Sequence, residues 1–291
     1  HPGLAPLNSL ARVRLGLQTF ARPFYVVSLA ELQRWRLERR WLMPLLLSPR
    51  QLDGPCLSSD ASPRHYVLAC RESKDQLAGT RLLRYIEYWE NQPLAPRGRG
   101  RPVVGVQNLP GVARTGRRPW YNLLDDLTRR GTAPILLPRR LYRTPRVAWN
   151  QAGWVAAENF IEITPRAGVG PQALLAVLNA SVSELALRVN AHVYGGMYSL
   201  NPGSVGDVPV VDVRRLPPVA LDRMTEAYNQ FLRINGSERG RLDAAVFAAA
   251  GLPDTLFLKL QETLAHMRNP VAGKTRSSGD ESGLSEELRL L

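Results

Sequence analysis

The sequence predicts an α+β fold: a mixed or antiparallel sheet with packed helices, followed by a C-terminal helical extension. Two patterns carry this expectation. Short aromatic and β-branched runs, separated by turn residues, fill the stretch from about residue 12 to 165. Segments with apolar residues at helical spacing dominate from Pro171 onward. At 291 residues and 44% hydrophobic, the chain has apolar material for one large domain or two ordinary ones, which excludes wholesale disorder.

The elements follow in order. Residues 1–30 read as loop and strand, ending in "FYVVSL". Residues 30–47 read as a helix, with Ser28 and Glu31 spaced as a capping box and Pro44 as an interruption. Residues 63–70 read as a strand. Residues 75–91 read as a helix with Leu82, Leu83, Ile86 and Trp89 along one side. Residues 133–142 and 145–165 read as strands, with Asn150 and Gly153 as turn residues. Residues 171–193 read as one long helix, with Pro171 in its first turn and a stripe of Leu174, Leu175, Leu178, Val182, Leu185 and Val189. Gly195 and Gly196 are expected to stop it. "GDVPVVD" (206–212) reads as a short edge strand, because Pro209 has no N–H to donate. Residues 220–235, 238–252 and 253–267 read as three helices. Residues 269–291 are polar and Gly/Ser-containing, and are expected to form a flexible tail.

The net charge is +13, and arginine supplies it: 35 Arg stand against three Lys (Lys74, Lys259 and Lys274). Residues 97–146 alone hold twelve Arg and two acids, Asp125 and Asp126. So concentrated a positive charge points to an anionic partner, nucleic acid or a membrane surface. No apolar run reaches the roughly 18 residues of a membrane span, and the N-terminus lacks a signal-peptide pattern. Nucleic acid is therefore the expected partner, with no membrane, and the cytoplasm the expected location. Cys56 and Cys70 lack the companion ligands of a zinc site and are expected to be buried thiols. His1, His65, His192 and His266 are scattered, and His192 is expected to be structural.

Within the basic segment, guanidinium groups alternate with aromatic rings. Arg97, Arg99 and Arg101 form one cluster. Arg114, Arg117 and Arg118 precede Trp120 and Tyr121. Arg139, Arg140, Tyr142, Arg143 and Arg146 form a third cluster. Arginine forks two hydrogen bonds onto a phosphate, or onto O6 and N7 of guanine. The rings offer faces to sugars or bases; Trp120 equally suits a core. These residues are the candidate DNA contacts. Tyr194, Gly195 and Gly196 join them as a place where backbone could approach DNA closely, the alternative being a purely structural turn.

Four segments, in order, make the chain resemble the C-terminal target-recognition region of adenine-specific DNA methyltransferases with a TaqI-like specificity domain. They are "GLQTFARPFYVV" (16–27), "RRPWYNL" (117–123) with "PILLPRRLYRTPRVAWNQAGWVAAENFIEI" (134–163), "LLAVLNASVSELALRVNAHVYGGMYSLNPGSVGDVPVVD" (174–212) and "RLDAAVFAAAGL" (241–252). The first departs from the family's Thr-Gly-x-Asn pattern, with Phe20 and Ala21 after Thr19. The resemblance implies a DNA target-recognition domain over 1–216, a helical extension over 217–268 and the tail over 269–291. It implies sequence-specific recognition of duplex DNA as the specificity portion of an adenine-N6 methyltransferase. The family's Gly-containing loop for S-adenosylmethionine and its Asn/Asp-Pro-Pro-Tyr/Phe motif, which holds a flipped adenine, have no counterpart here. No catalytic, cofactor-binding or metal-binding residue is therefore expected in this chain. Because the chain starts at His1 rather than Met, the catalytic domain that binds S-adenosylmethionine is expected elsewhere, in cis or in trans. Alternatives are a detached specificity subunit or part of a fused restriction endonuclease-methyltransferase. A nuclease pattern of Asp60, Glu72 and Lys74 is the weaker reading, since such short patterns arise by chance. An RNA-binding protein lacks any module signature.

Overall fold

The strand Phe160–Pro165 is buried on both faces over its first four residues, and its side chains, alternating between those faces, organise the chain. Ile161 and Ile163 enter one core, while Glu162 points to the opposite face. A computed structural model describes residues 3–94, 102–141, 144, 146–194 and 197–268. In it this strand pairs antiparallel with Ala11–Leu15 on one side and Ile135–Pro138 on the other. Ala148–Asn150 continues the sheet antiparallel, and Cys56–Leu57 closes it in parallel. The sheet is therefore mixed, as the α+β expectation requires.

A four-stranded sheet abuts it, in the order Val155–Ala156, Leu42–Leu46, His65–Leu68, Val26–Ser28. The backbone at Gly16 passes so close to this junction that a Cβ there would sit 2.0 Å from the carbonyl oxygen of Ala157. Only glycine fits, which explains the first residue of the "GLQTF" stretch. A small cluster of Leu46, Leu57, Leu136, Trp154 and Phe160 fills the seam.

On the far face of the five-stranded sheet lie the helices Pro171–Asn179 and Ser181–Val189, bent by 71°. This corrects the expectation of one helix over 171–193. Ala180 is extended (ψ 152°). The new helix start is capped from a distant part of the chain: the Asp243 carboxylate accepts from the Ser181 amide at 2.6 Å and from its hydroxyl at 2.7 Å. The second helix ends at Val189, and His192–Tyr194 is a strand. Gly195 and Gly196 lie outside the described residues, between that strand and its partner Met197–Ser199, so they do not stop the helix.

Residues 30–47 are corrected likewise. Helix Leu29–Trp35 has the expected Ser28–Glu31 capping box, then ends at Arg36 in the left-handed region (φ 51°). Leu42–Leu46 is a strand; a short apolar run suits either element, and Pro44 cannot continue a helix. The helix expected over 75–91 begins at Arg81, after the Thr80 cap.

Helices Pro218–Arg233, Gly240–Ala250 and Asp254–Arg268 follow. Met224, Tyr228, Phe231, Val246 and Phe247 share one core with Leu174, Leu175 and Leu178. The helical extension thus closes the same core as the sheet. The tail at 269–291 lies outside the described residues. Among these, no single helix is long and apolar enough to cross a membrane.

Candidate nucleic-acid interface

Two stretches far apart in sequence meet in a small antiparallel sheet. Its order is Arg140–Leu141, Met197–Ser199, His192–Tyr194. Arg140 stands opposite Ser199, and Leu141 opposite Tyr198. The backbone extends the pairing, since the Leu200 amide donates to the Arg139 carbonyl at 2.8 Å. The sheet is anchored from below: the Arg188 guanidinium lies 4.9 Å from the centre of the Tyr198 ring, and Arg188 pairs with Glu184. Arg140 is exposed, as are His192 and Val193. His192, expected to be structural on an apolar helix, is therefore a surface residue of a strand.

Arg146 is positioned by the core. Asn179, fully buried, clamps Val147 both ways: its Oδ1 accepts from the Val147 amide at 3.1 Å and its Nδ2 donates to the Val147 carbonyl at 2.9 Å. Arg146, one residue earlier, is exposed and donates to the Asp53 carbonyl at 3.3 Å. Asn150 does similar work inside the next turn, bonding Trp154 and the Ala133 carbonyl.

The other candidates divide by burial. Arg114 and Arg118 are exposed, and Arg114 donates to the Pro110 carbonyl. Arg117 is an internal brace: its side chain is 9% exposed, bonds Asp126 at 2.7 Å and lies against the Tyr25 ring. Arg139 is half-buried and bonds the Leu200 carbonyl. Trp120 packs on Phe24 and donates to Glu90 at 2.8 Å, so the core alternative describes it. Tyr121 has no exposed surface; its hydroxyl donates to the Glu72 carbonyl at 2.8 Å. It is a core residue rather than a surface for DNA, because its ring completes the aromatic cluster of the N-terminal half. Arg97, Arg99, Arg101, Tyr142, Arg143, Gly195 and Gly196 lie outside the described residues, as does the Tyr194 side chain.

Of the nuclease trio, Lys74 pairs with Glu90, and Glu72 accepts from the Cys70 thiol and the Arg71 amide. No group of three or more His, Cys, Asp or Glu among the described residues could hold a metal. Cys70 is buried, and burial together with its bond to Glu72 pushes its thiol up to about 12; Cys56 is only half-buried. One basic cluster escaped the sequence reading: Arg34, Arg36, Arg81 and Arg84 line a single cleft. The only signal was the density of arginine in "RWRLERR", without the partner helix 45 residues later.

Residues 112–238 match the C-terminal domain of the type II methyltransferase M.Eco57I. The matched segment contains the Asn179 clamp, the hairpin 192–199 and the exposed arginines from Arg114 to Arg146. Two solved structures share the fold over nearly the whole chain. One is the type IIG restriction endonuclease BpuSI, at 15% identity and a TM-score of 0.59 over 94% of this chain. The other is the type IIL restriction-modification enzyme MmeI in complex with DNA, at 12% identity and a TM-score of 0.60 over 90%. The chain spans about a third of each, 32% and 36% respectively.

Proposed function

We propose that this chain reads a short duplex DNA sequence as the specificity portion of an adenine-N6 DNA methyltransferase acting in the cytoplasm. The domain that binds S-adenosylmethionine would be supplied in cis or in trans. The observation that carries the reading is the sheet joining Arg140–Leu141 to the hairpin 192–199. It sets the exposed Arg140, with no acidic partner among the described residues, on a paired surface inside the matched segment. Arg114, Arg118, Arg140 and Arg146 would supply phosphate or guanine contacts, which fix position and sequence respectively. Arg97, Arg99, Arg101, Tyr142, Arg143 and the Tyr194–Gly195–Gly196 backbone remain proposed contacts on sequence grounds. A fused restriction endonuclease-methyltransferase is the favoured setting, because both solved structures are restriction enzymes in which a chain of this fold is about a third of the whole.

The test is selection from a pool of random duplexes, with bound DNA sequenced. One enriched short sequence containing adenine is expected, and N6-methylation of that adenine should block binding or alter it. Recovery of the pool without enrichment would contradict sequence reading.

A further inference from the structure

A cleft of about 410 Å³ opens where the end of helix Leu29–Trp35 meets the start of helix Arg81–Asn91. Its lining is Arg34, Trp35, Arg36, Arg81 and Arg84, with no acidic side chain. Arg36 is held at the helix end by its left-handed backbone, its amide bonded back to the Gln33 and Leu32 carbonyls. Arg81 and Arg84, three residues apart on one helix, project to the same side. Of the acids on the flanking elements, Glu38 accepts from the backbone amides of Arg81 and Leu82 at 2.8 and 3.2 Å, Glu31 caps Ser28, Glu90 pairs with Lys74, and Glu87, three residues beyond Arg84, is exposed and does not line the cleft. None of the four guanidiniums has an ion pair among the described residues. Trp35 is fixed against Tyr85 and Tyr88, with ring centres 5.2 and 4.8 Å away.

Four cations around one cleft repel each other unless an anion sits among them. Planar guanidiniums suit the paired oxygens of a phosphate better than a single point charge. We infer that this cleft binds a phosphate oxyanion, and that the phosphate belongs to the backbone of the bound DNA. The inference rests on the DNA-recognition reading. It adds a contact point contributed by the N-terminal half, outside residues 112–238. The contact carries no sequence information; it sets register and affinity.

The experiment uses the full chain, a fluorescent duplex and a salt series from about 50 to about 200 mM. Each phosphate contact contributes about 0.9 to the slope of log K against log salt. Arg81→Gln/Arg84→Gln should therefore lower the slope by about 0.9 to 1.8, with an unchanged melting temperature. Arg34→Gln/Arg36→Gln should act in the same direction and provides a second reading should the first pair perturb the helix start. Wild-type slopes in both variants would overturn the inference while leaving the DNA reading intact.

A parallel titration with inorganic phosphate at constant ionic strength, followed by arginine Nε–H NMR signals, separates the sources. Phosphate shifts lost in Arg81→Gln/Arg84→Gln, with no duplex binding by wild type, would keep an oxyanion cleft and reject the DNA reading. A wild-type DNA slope combined with loss of binding to an acidic polypeptide would assign the cleft to a protein partner, and so overturn the inference. Neither DNA nor phosphate binding would overturn both.

Discussion

Arginines in two regions of this molecule have one chemistry and opposite surroundings. Around Glu184, Arg188, Arg239 and Arg268 converge on a single buried carboxylate, at 3.0, 2.7 and 2.5 Å. Across the small sheet and its approach, Arg140 and Arg146 face solvent with no acidic partner among the described residues. The first group ties the helix Ser181–Val189 to the start of Gly240–Ala250 and the end of Asp254–Arg268. Burial would raise the Glu184 carboxyl, but the Arg268 hydrogen bond and the charges of Arg239, Arg268 and Arg188 hold it below the usual range. The second group ties no helices together, its one fold contact being the Arg146 bond to the Asp53 carbonyl, and it faces outward. What separates the two is the supply of acids and the depth of burial, and a census of charge along the chain records neither.

The largest effect should come from breaking the buried group. Glu184→Gln leaves three guanidiniums around a neutral amide and should cost about 3–5 kcal/mol in urea unfolding. A loss below about 1 kcal/mol, the ordinary worth of an exposed pair, would erase the distinction between the regions. Duplex binding well below the melting temperature should be unaffected.

The same residue predicts a pH dependence. Its folded pKa is depressed, so its stabilisation is complete above the unfolded carboxylate range and is lost as pH falls through the lower folded value. Asp243 opposes this, since burial raises its carboxyl against the pull of its Ser181 bonds. Its share is present below the unfolded pKa and is lost as pH rises through the folded one. Stability measured against pH should therefore fall on the acid side in wild type and less steeply in Glu184→Gln; equal acid limbs would argue against the cluster.

Arg117 tests the comparison from within the basic segment. Arg117→Met removes one of the two guanidiniums on Asp126, Arg129 keeping the other, and should cost about 1–2 kcal/mol, with no change in the salt slope of DNA binding. A lowered slope would place it on the interface. Conversely, Arg140→Gln/Arg146→Gln should lower that slope by about 1.8 and shift stability by no more than about 0.5 kcal/mol. Tyr121→Phe, which removes one buried hydrogen bond, should cost about 1 kcal/mol of stability and leave DNA affinity untouched, the smallest effect expected on binding.

The sequence made some parts of this legible and hid others for physical reasons. The capping box at Ser28 and Glu31 is local, and it forms as the spacing predicts. The break at Ala180 is not local, because the cap that starts the next helix is Asp243, 62 residues away. Periodicity alone reads straight through it. Arg117 and Arg118 are neighbours of one type, yet one pairs internally with Asp126 and the other faces solvent. The meeting of residues 140–141 with 197–199 depends on strand pairing across the chain, which no motif announces. The roles of Asn179 and Asn150 show why stretches of the resemblance mark a fold: both side chains close buried backbone.

The most direct test of the central claim, that exposed arginines of this chain grip duplex DNA while buried ones build its fold, is the salt slope of duplex binding. It should be measured side by side for wild type, Arg140→Gln/Arg146→Gln and Arg117→Met. A steep wild-type slope, lowered by the surface pair and untouched by Arg117→Met, is the predicted result. A slope that falls for Arg117→Met and holds for the surface pair would contradict the account.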